Sequence, residues 1–313
     1  MNVAIAIVSY RSVTDVVACL AALSRATYAR FEVVVCENGG PEAYEALRAA
    51  LPSKLPGGQA VRAVLAEGNL GFAGGVNLCL RETPGADAWW VLNPDTEPHP
   101  DALAAMVERL AVGDCDAVGS ILALGDGTIQ SYGGKWRKAL ARAVSIGHGT
   151  PAATPVDGSA VEAVQNYLNG ASMLVGSRFF RAVGPMREDY FLYCEEVEWC
   201  LRAGAAGMKL GFAPAAVVLH HQGTSTGNAV GLRDRSALSV YLGERNKILL
   251  TGDCFPGWLP VASVAALLLL ILRFGRARAW RQLAFAWRGW RAGLMGERGA
   301  PAHLIVSLPA AAA

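Results

Sequence analysis

The stretch that decides the fold is VAIAIV at residues 3–8, followed by EVVVC at residues 32–36. Both are short apolar, β-rich runs without polar alternation, which is typical of strands buried on both faces. Between them, Asp15–Leu23 carries apolar residues at helical spacing. A strand, a helix and a second strand in this order predict a parallel βαβ unit.

The same alternation continues along the chain to about residue 121. The further predicted elements are strands at 61–65, 89–92 and 117–121 and helices at 41–51, 72–80 and 101–110. This order predicts an α/β fold with a mainly parallel sheet between two layers of helices. Ligands of such sheets bind at the carboxyl ends of the strands. Polar residues follow three of the predicted strands, at Ser9-Tyr10, Glu37-Asn38 and Asn93–Asp95.

The second half of the chain has a different pattern. Residues 125–157 are rich in Gly, Thr and Ser with weak periodicity, so we expect an irregular insertion that serves as a lid or an acceptor-facing loop. A strand is predicted at 207–219, just before His220, and the chain is helical from Ser236 to about Arg298. We therefore expect a catalytic α/β domain at 1–250, a helical segment at 251–300 and a tail at 301–313.

Composition narrows the class of protein and the compartment. The chain has 313 residues, is 53% hydrophobic and carries a net charge of +2, so it can bury a large core and is not a nucleic-acid-binding protein as a whole. Seven scattered cysteines without CxxC pairs argue against a disulfide framework or a zinc ribbon. They suit a reducing cytoplasm, and the first residues resemble a strand rather than a signal peptide.

The segment YFLYCEEVEWCLR at 190–202 places three carboxylates within four positions. On a helix, Glu195 and Glu198 share a face, as do Glu198 and Arg202. Apolar and like-charged neighbours raise the pKa of a carboxylate, which suits a general base. The alternative is a solvated acidic face that pairs with Arg202, and the aromatic flanks argue against it.

Two strand ends carry candidate metal ligands. Asp95, in LNPDTE, follows a predicted strand, where it can hold a hard divalent cation that binds a nucleotide diphosphate. An Asx turn before the helix at 101 is the alternative, and for this motif alone it is favoured. His220 ends another strand and is a candidate for metal or phosphate, although a lone His pair is more often structural.

A glycine-rich segment, NLGFAGGVN at 69–77, opens a predicted helix. Its glycines allow close approach of the backbone to a ligand, and a helix N-terminus favours an anion. The alternative is a tight turn that serves helix–strand packing. The order of these motifs on one sheet, rather than any single motif, indicates a site for a metal-bound diphosphate and a base.

Taken together, residues 1–250 resemble family 2 glycosyltransferases, in the branch of rhamnosyltransferases and related cell-surface polysaccharide enzymes. The similar motifs occur in the family's order: IAIVSYRS, VVVCENGG, NLGFAGGVN, LNPDTEP, the long segment at 166–207 and HHQGTST. The resemblance implies a GT-A fold, a Rossmann-like sheet that binds a nucleotide-diphospho-sugar, with Mg²⁺ or Mn²⁺ as cofactor. The C-terminal helices are then an extension of that fold.

The resemblance also implies roles for individual residues. Asp95 matches the metal-binding acid of a DxD-like motif whose first position is Asn93 here, and His220 matches a second metal contact. The base is Glu195 or Glu196, in a triplet that is all Glu where the family commonly has Asp twice. The nucleotide-sugar pocket is assigned to Ser9, Tyr10, Glu37, Asn38, Asn69, Gly71, Gly75, Asn77, Asn93 and Asp95. Acceptor-binding or supporting positions are Glu198, Arg202, Asn169 and Gly170.

The C-terminal segment has an apolar and then a basic part. Residues 255–272 are apolar, but Pro256 and Pro260 leave 12 uninterrupted residues, fewer than the roughly 20 that span a bilayer. The following Arg- and Trp-rich segment predicts an amphipathic helix on the anionic cytoplasmic leaflet. The alternatives are a helical hairpin packed on the catalytic domain or in a homo-oligomer interface and, third, nucleic-acid binding.

The sequence therefore predicts a metal-dependent, inverting glycosyltransferase, cytoplasmic or peripheral on the cytoplasmic face of the inner membrane. By resemblance, it moves rhamnose from dTDP-rhamnose to a glycan or lipid-linked acceptor in cell-surface polysaccharide synthesis such as that of O-antigen. One alternative is a sugar-phosphate nucleotidyltransferase, but its glycine-rich basic loop after the first strand is replaced here by Val8–Arg11. The other is a catalytically inactive, membrane-associated binding protein.

Overall fold

The computed structural model describes residues 1–221 and 231–305. The strands are β1 (Val3–Ser9), β2 (Phe31–Glu37), β3 (Val61–Leu65), β4 (Ala88–Leu92), β5 (Thr96–Pro98), β6 (Ala117–Ala123), β7 (Ile129–Ser131), β8 (Gly134–Arg137), β9 (Arg142–Ser145), β10 (Ser172–Gly176) and β11 (Leu210–His220). The helices are α1 (Val13–Leu23), α2 (Pro41–Ala50), α3 (Gly71–Arg81), α4 (Ala102–Ala111), α5 (Gly158–Val164), α6 (Ser177–Val183), α7 (Glu195–Ala205), α8 (Ala237–Cys254), α9 (Leu259–Arg276), α10 (Trp280–Leu294) and α11 (Ala302–Ile305).

One large sheet organises the chain, with strand order β3-β2-β1-β4-β10-β6-β11-β5 and β7 paired to β6. The α/β prediction is confirmed, and β1 to β4 pair in parallel. The sheet as a whole is mixed, because β10 runs antiparallel between β4 and β6 and β5 runs antiparallel to β11. An apolar run indicates a buried strand but not its direction, so the pattern alone does not reveal the reversal.

Both faces of the sheet are buried, as the unbroken apolar runs predict. In β1, Val3, Ile5 and Ile7 pack with α1 and α4, whereas Ala4 and Ala6 pack with α3 and α7 on the other face. Each fully buried Val or Ile side chain contributes about 1.5–3 kcal/mol relative to exposure. The core therefore lies in two layers, and the strand ends are left to carry polar groups.

The segment at 125–157 is more regular than its composition predicts. It contains β7 and an antiparallel hairpin of β8 and β9. The hairpin is attached to the main body where the backbone N–H of Gly134 donates to the carbonyl of Tyr167 at 3.0 Å. Strands of three or four residues are too short to show an alternating pattern, which explains the difference.

The C-terminal helices pack on the catalytic body. Helix α8 crosses residue 250, where the sequence places a domain boundary, and Leu249 and Leu250 join the core cluster of the sheet. Helices α8 and α10 approach so closely that a Cβ at Gly289 would overlap the carbonyl oxygen of Tyr241. These contacts agree with the alternative in which the C-terminal helices pack on the catalytic domain.

The two prolines do not interrupt the apolar helix. Pro256 opens a short 3₁₀ turn and Pro260 lies in the first turn of α9, where a missing N–H breaks no helical hydrogen bond. The continuous helical stretch Pro256–Arg276 has 21 residues, and it is long and apolar enough to cross a membrane by length and composition alone. The prediction that the prolines limit the uninterrupted apolar stretch to 12 residues is therefore wrong, because both prolines lie at positions that a helix start tolerates.

Candidate active site

Ser9, Glu37 and Asn38 meet where β1 and β2 end. The Glu37 carboxylate is fully buried and accepts hydrogen bonds from Ser9 Oγ at 2.5 Å, Gly39 N at 2.7 Å and Arg11 N at 3.0 Å. Arg11 has a φ of +56°, and its guanidinium lies 5.6 Å from the Tyr10 ring centre. Glu37 thus holds the two strand-end loops in place, and Tyr10 lies at their partly exposed edge.

Asn38 joins this loop to the glycine-rich turn. Its Nδ2 donates to the carbonyl of Gly71 at 2.8 Å, and Asn69 Oδ1 accepts from Gly71 N at 3.0 Å. Gly71 has a φ of +72°, and a Cβ there would overlap the carbonyl oxygen of Phe191. That carbonyl also accepts from Phe72 N at 2.8 Å. The turn therefore connects the predicted nucleotide pocket to the segment that precedes α7.

Gly75 and Asn77 make packing contacts behind this turn. A Cβ at Gly75 would lie 2.6 Å from Val8, so the missing side chain lets α3 approach β1. The Asn77 amide bonds to both backbone groups of Met186, at 2.9 and 3.0 Å, and to Glu188 at 2.8 Å. The alternative of close helix–strand packing thus holds for Gly75, whereas Asn77 ties α3 to the segment between α6 and α7. Contact of either residue with a sugar donor stays a prediction.

Asp95 and His220 lie together, although 125 positions separate them in the sequence. The antiparallel pairing of β5 with β11 sets His220 opposite Thr96, and His220 Nε2 lies 3.3 Å from Asp95 Oδ1. Both side chains are almost fully buried. The neighbouring Asn93 contributes its carbonyl, which accepts from Thr96 Oγ1 at 2.6 Å, to the turn that presents Asp95. Residues 222–226 of the HHQGTST motif lie outside the described residues.

A third residue at this site, Gln130, was not predicted from the sequence. Its Oε1 lies 2.7 Å from His220 Nδ1. When Nδ1 carries the proton, Nε2 keeps its lone pair directed toward Asp95, which is the state that a metal ligand requires. Among residues 1–221 and 231–305, no three His, Cys, Asp or Glu side chains are grouped closely enough to hold a metal ion. Asp95 and His220 would thus supply two ligands and leave the other positions open.

The three glutamates of α7 have different surroundings. Glu198 is buried and forms a two-point ion pair with Arg202, at 2.8 and 3.1 Å. Arg202 also donates to the carbonyls of Val183 and Pro185, which ties α7 to the end of α6. The alternative of an acidic face paired with Arg202 therefore applies to Glu198 alone, and in that pair the carboxylate is buried while Arg202 is partly exposed.

Glu195 and Glu196 form a coupled acidic pair. Glu195 is buried, and among the described residues its Oε2 has no hydrogen-bond partner. Burial together with the Glu196 charge raises the pKa of its carboxyl to about 8. Burial also raises the pKa of Glu196, although this side chain is partly exposed. Two carboxyls this close in an apolar site cannot both ionise easily, so ionisation of Glu196 favours the protonated form of Glu195.

Asn169 and Gly170 border this pair. A Cβ at Gly170 would lie 3.3 Å from Glu196 Cγ and 3.4 Å from the Phe72 ring, so the glycine leaves space beside the carboxyl group. Asn169 Oδ1 accepts from Ala171 N at 3.0 Å and shapes the turn. Tyr167 was not predicted as a site residue, but its pKa is raised by burial and by the Glu196 charge, which places it at the same pocket.

The segment before α7 has an unusual backbone. Phe191, Tyr193 and Cys194 have φ values of +67°, +74° and +73°, a region that L-residues rarely adopt. Such strain costs on the order of 1–3 kcal/mol per residue and requires support from the surroundings. The start of the helix that carries Glu195 and Glu196 is therefore held by contacts from elsewhere.

That support comes from α8. Asn246 is fully buried, and its Nδ2 donates to the carbonyls of Tyr190 at 2.9 Å and of Leu192 and Tyr193 at 2.8 Å. Arg245 adds a bond from Nη2 to the Tyr190 carbonyl at 3.0 Å. Neither residue was predicted, because the sequence shows both only as part of the polar run ERNK at 244–247, which gives no sign of burial.

Comparison with known proteins agrees with this architecture. The model of the family described as glycosyl transferase family 2 matches residues 4–149. An N-acetylglucosaminyl-diphospho-decaprenol L-rhamnosyltransferase of Mycobacterium tuberculosis is 26% identical over 227 residues, which cover 66% of this chain and 72% of the relative. The low-salt glycan biosynthesis hexosyltransferase Agl10 of Haloferax volcanii is 23% identical over 195 residues, 60% of this chain and 59% of the relative.

Two solved structures share the fold. GalNAc-T7 with UDP, GalNAc and Mn²⁺ superposes with a TM-score of 0.60 at 12% identity, covering 80% of this chain and 47% of that one. The mannosyltransferase PcManGT from Pyrobaculum calidifontis, in complex with GDP-Man and Mn²⁺, gives 0.56 at 15% identity, covering 95% and 88%. The fold is thus GT-A, as predicted. The family 2 match over residues 4–149 and the names of both relatives support the predicted glycosyltransferase of the rhamnosyltransferase-like type.

Proposed function

We propose that this chain transfers a sugar from a nucleotide-diphospho-sugar to a hydroxyl of a glycan or lipid-linked acceptor, with inversion and with help from a divalent metal. The observation that carries the proposal is the Glu195–Glu196 pair, in which an enclosed carboxyl of raised pKa, without a hydrogen-bond partner among the described residues, adjoins a partly exposed one. The name of the mycobacterial relative, a rhamnosyltransferase that acts on a diphospho-decaprenol-linked sugar, supports rhamnose and a lipid-linked acceptor here.

Asp95 and His220 are the residues that would hold Mg²⁺ or Mn²⁺. Their oxygen and nitrogen lie 3.3 Å apart, close to the roughly 3 Å between neighbouring ligands of an octahedral ion bound at about 2.1 Å. Mn²⁺ accompanies the nucleotides in both similar solved structures, which supports the same cofactor. When bound, the cation neutralises the diphosphate leaving group.

The acid pair would receive the acceptor proton. We assign the base to Glu196, because its side chain is partly exposed beside Gly170 while Glu195 is enclosed and retains its own proton more readily. As Glu196 takes the proton, the acceptor oxygen forms a bond to the anomeric carbon through an oxocarbenium-like state, and the bond to the diphosphate oxygen breaks. Attack on the face opposite the leaving group inverts the configuration.

Separate substitution of the two glutamates tests this assignment. Glu196→Gln should lower turnover about 10²–10⁴-fold, the usual contribution of a general base. Glu195→Gln should lower it less, because glutamine resembles the protonated form that Glu195 favours. Glu198→Gln is a comparison on the same helix, in which loss of the Arg202 pair should reduce stability more than chemistry. Near-full turnover in both Glu195→Gln and Glu196→Gln would show that neither is the base.

The donor is identified by thermal-shift measurements with UDP-, dTDP- and GDP-sugars, each with Mg²⁺ or Mn²⁺. A specific donor at 100 times its Kd stabilises the folded state by about 2.7 kcal/mol. We expect dTDP-rhamnose to give the largest shift, and only in the presence of the cation. Hydrolysis of that donor with Mn²⁺ would then report transferase chemistry without a known acceptor. If none of these donors shifts the transition or is hydrolysed, the proposed function fails.

A further inference from the structure

The outer side of the two C-terminal helices is unusually apolar for a protein surface. Among the described residues, sixteen large apolar side chains are exposed, and ten of them lie between Trp258 and Met295. We call this surface the α9–α10 outer face. Its members on α9 are Val261, Val264, Leu268, Ile271 and Leu272, at helical spacing, and on α10 they are Trp280, Trp287 and Leu294.

The two helices form one continuous surface. A cleft of about 410 Å³ lies between them and is lined by Ile271 of α9 and by Trp280, Leu283 and Trp287 of α10, with Arg288 at its edge. Trp280 and Leu268 are 64% and 62% exposed, which is far more than folding requires of such side chains. A contiguous apolar surface of this kind marks an interaction site.

The charges on the two helices themselves all have one sign. Residues 256–296 contain six arginines and no Asp, Glu or Lys. All six arginines are exposed, and Arg281 and Arg288 lie on α10 beside Trp280 and Trp287. An apolar face bordered by Arg and Trp is complementary to a bilayer surface with anionic headgroups, where Trp and Arg occupy the boundary.

The opposite side of α9 is covered by the protein along its length. Ala262 and Ala266 pack into the main core and Leu270 and Phe274 into the cluster with α8 and α10. The indole N–H of Trp290 also donates to the carbonyl of Ser263 at 3.0 Å. A helix that keeps these contacts cannot be surrounded by lipid, so it lies along a membrane surface rather than across it.

The β8–β9 hairpin connects the C-terminal helices to the region of Glu196. The turn that joins its strands packs against α9, and Lys138 Nζ in this turn lies 5.0 Å from the ring centre of Trp258. At its other end, Gly134 of the hairpin pairs with Tyr167, whose pKa is raised by burial and by the Glu196 charge. A membrane on the outer face would therefore be linked to the region of Glu196 through α9 and this hairpin.

We propose that the α9–α10 outer face docks on an anionic lipid bilayer, with both helices lying along its surface, and so brings the pocket of Glu196 to the headgroup level. The purpose of this contact rests on the proposed transfer to a lipid-linked acceptor. The contact itself depends only on the surface, so its test is separate from the test of transfer.

The test is flotation of the purified full-length chain with vesicles of phosphatidylcholine alone and of phosphatidylcholine with phosphatidylglycerol. We expect binding to the anionic vesicles that weakens at high salt. Arg281→Gln and Arg288→Gln should each weaken it about fivefold, and Leu268→Ser and Trp280→Ser about tenfold or more. The matched controls are Arg30→Gln and Val112→Ser, exposed residues elsewhere on the surface, which should leave binding unchanged.

Three outcomes would overturn the inference. These are no binding to anionic vesicles, equal and salt-independent binding to both vesicle types, and resistance to extraction by alkaline carbonate, which indicates a spanning helix. Formation of a dimer that buries Trp280 and abolishes vesicle binding would assign the surface to a second copy instead. A thermal shift with donor and Mn²⁺ is measured on the wild-type chain and on every variant. In the wild-type chain, a shift without flotation contradicts only the membrane contact, whereas flotation without any shift contradicts only the proposed function. In the four outer-face variants, weakened flotation with an unchanged shift is the expected result.

Discussion

Replacement of Asn246 by alanine tests whether α8 holds the start of the base-bearing helix. The Asn246 amide has two N–H groups that serve three backbone carbonyls, those of Tyr190, Leu192 and Tyr193. Arg245 continues to satisfy the Tyr190 carbonyl in the variant, so the partly buried carbonyls of Leu192 and Tyr193 lose their donor. A fully buried group left unsatisfied costs about 1–3 kcal/mol, and because these two are partly exposed we expect a loss in the lower part of that range for each, about 2–4 kcal/mol in unfolding free energy.

The same change should affect catalysis more than donor binding. Without the amide, the backbone with positive φ at Phe191, Tyr193 and Cys194 can relax to more common conformations, which displaces Glu195 and Glu196. A misplacement of about 1 Å at a catalytic group can cost about 10²-fold. Among the described residues, the side-chain hydrogen bonds of Asn246 go to Arg245 and to the segment before α7 rather than to the Ser9–Glu37 loops, so Kd for the nucleotide should change much less than kcat.

Urea unfolding, single-turnover transfer and nucleotide titration together measure these effects. Thr251→Val is the matched control, since Thr251 is also fully buried on α8 but donates only to Lys247 of its own helix. It should lose stability with little change in kcat, while Asn246→Gln should recover part of the activity. If Asn246→Ala loses the expected stability but keeps its kcat per folded molecule, α8 stabilises the fold without positioning the base.

Three further predictions follow from other contacts. Gln130→Leu removes the acceptor that orients His220 and should weaken Mn²⁺ affinity about 10–100-fold in a titration of donor hydrolysis. The control, His221→Ala, changes an exposed residue at the same strand end and should leave the affinity unchanged. Equal effects of the two substitutions would refute the assignment of His220 as a metal ligand oriented by Gln130. The pKa of Glu195 is raised to about 8 in the folded state, so between about pH 5 and pH 8 the folded chain binds more protons than the unfolded chain. Stability should therefore fall as pH rises through this range, and Glu195→Gln should flatten that fall in denaturant unfolding. An unchanged profile of stability against pH would contradict the raised pKa. Gly71→Ala places a Cβ against the Phe191 carbonyl at a φ of +72° and should destabilise by more than about 1 kcal/mol, while Gly85→Ala, in open space, should be nearly neutral by calorimetry.

The sequence by itself determined the layered α/β architecture and the position of the site along the strands. A strand buried on both faces must be apolar throughout, so β1, β2 and β4 are visible as unbroken runs. Polar residues at their ends then mark the ligand-binding edge, because the carboxyl ends of parallel strands meet there. Asp95 and His220 were predicted as a pair for the same reason and are in contact.

Only the tertiary structure distinguished the members of each motif. Glu195, Glu196 and Glu198 are identical in type, and their roles differ because Arg202 reaches Glu198 while Glu195 is enclosed. The contacts of Asn246 and Gln130 join segments 53 to 90 residues apart, so no local sequence pattern predicts them. A local pattern records whether a residue is buried, but the partner of a buried polar group is set by the packing of distant segments, and in this chain those partners decide which carboxyl groups are available for chemistry.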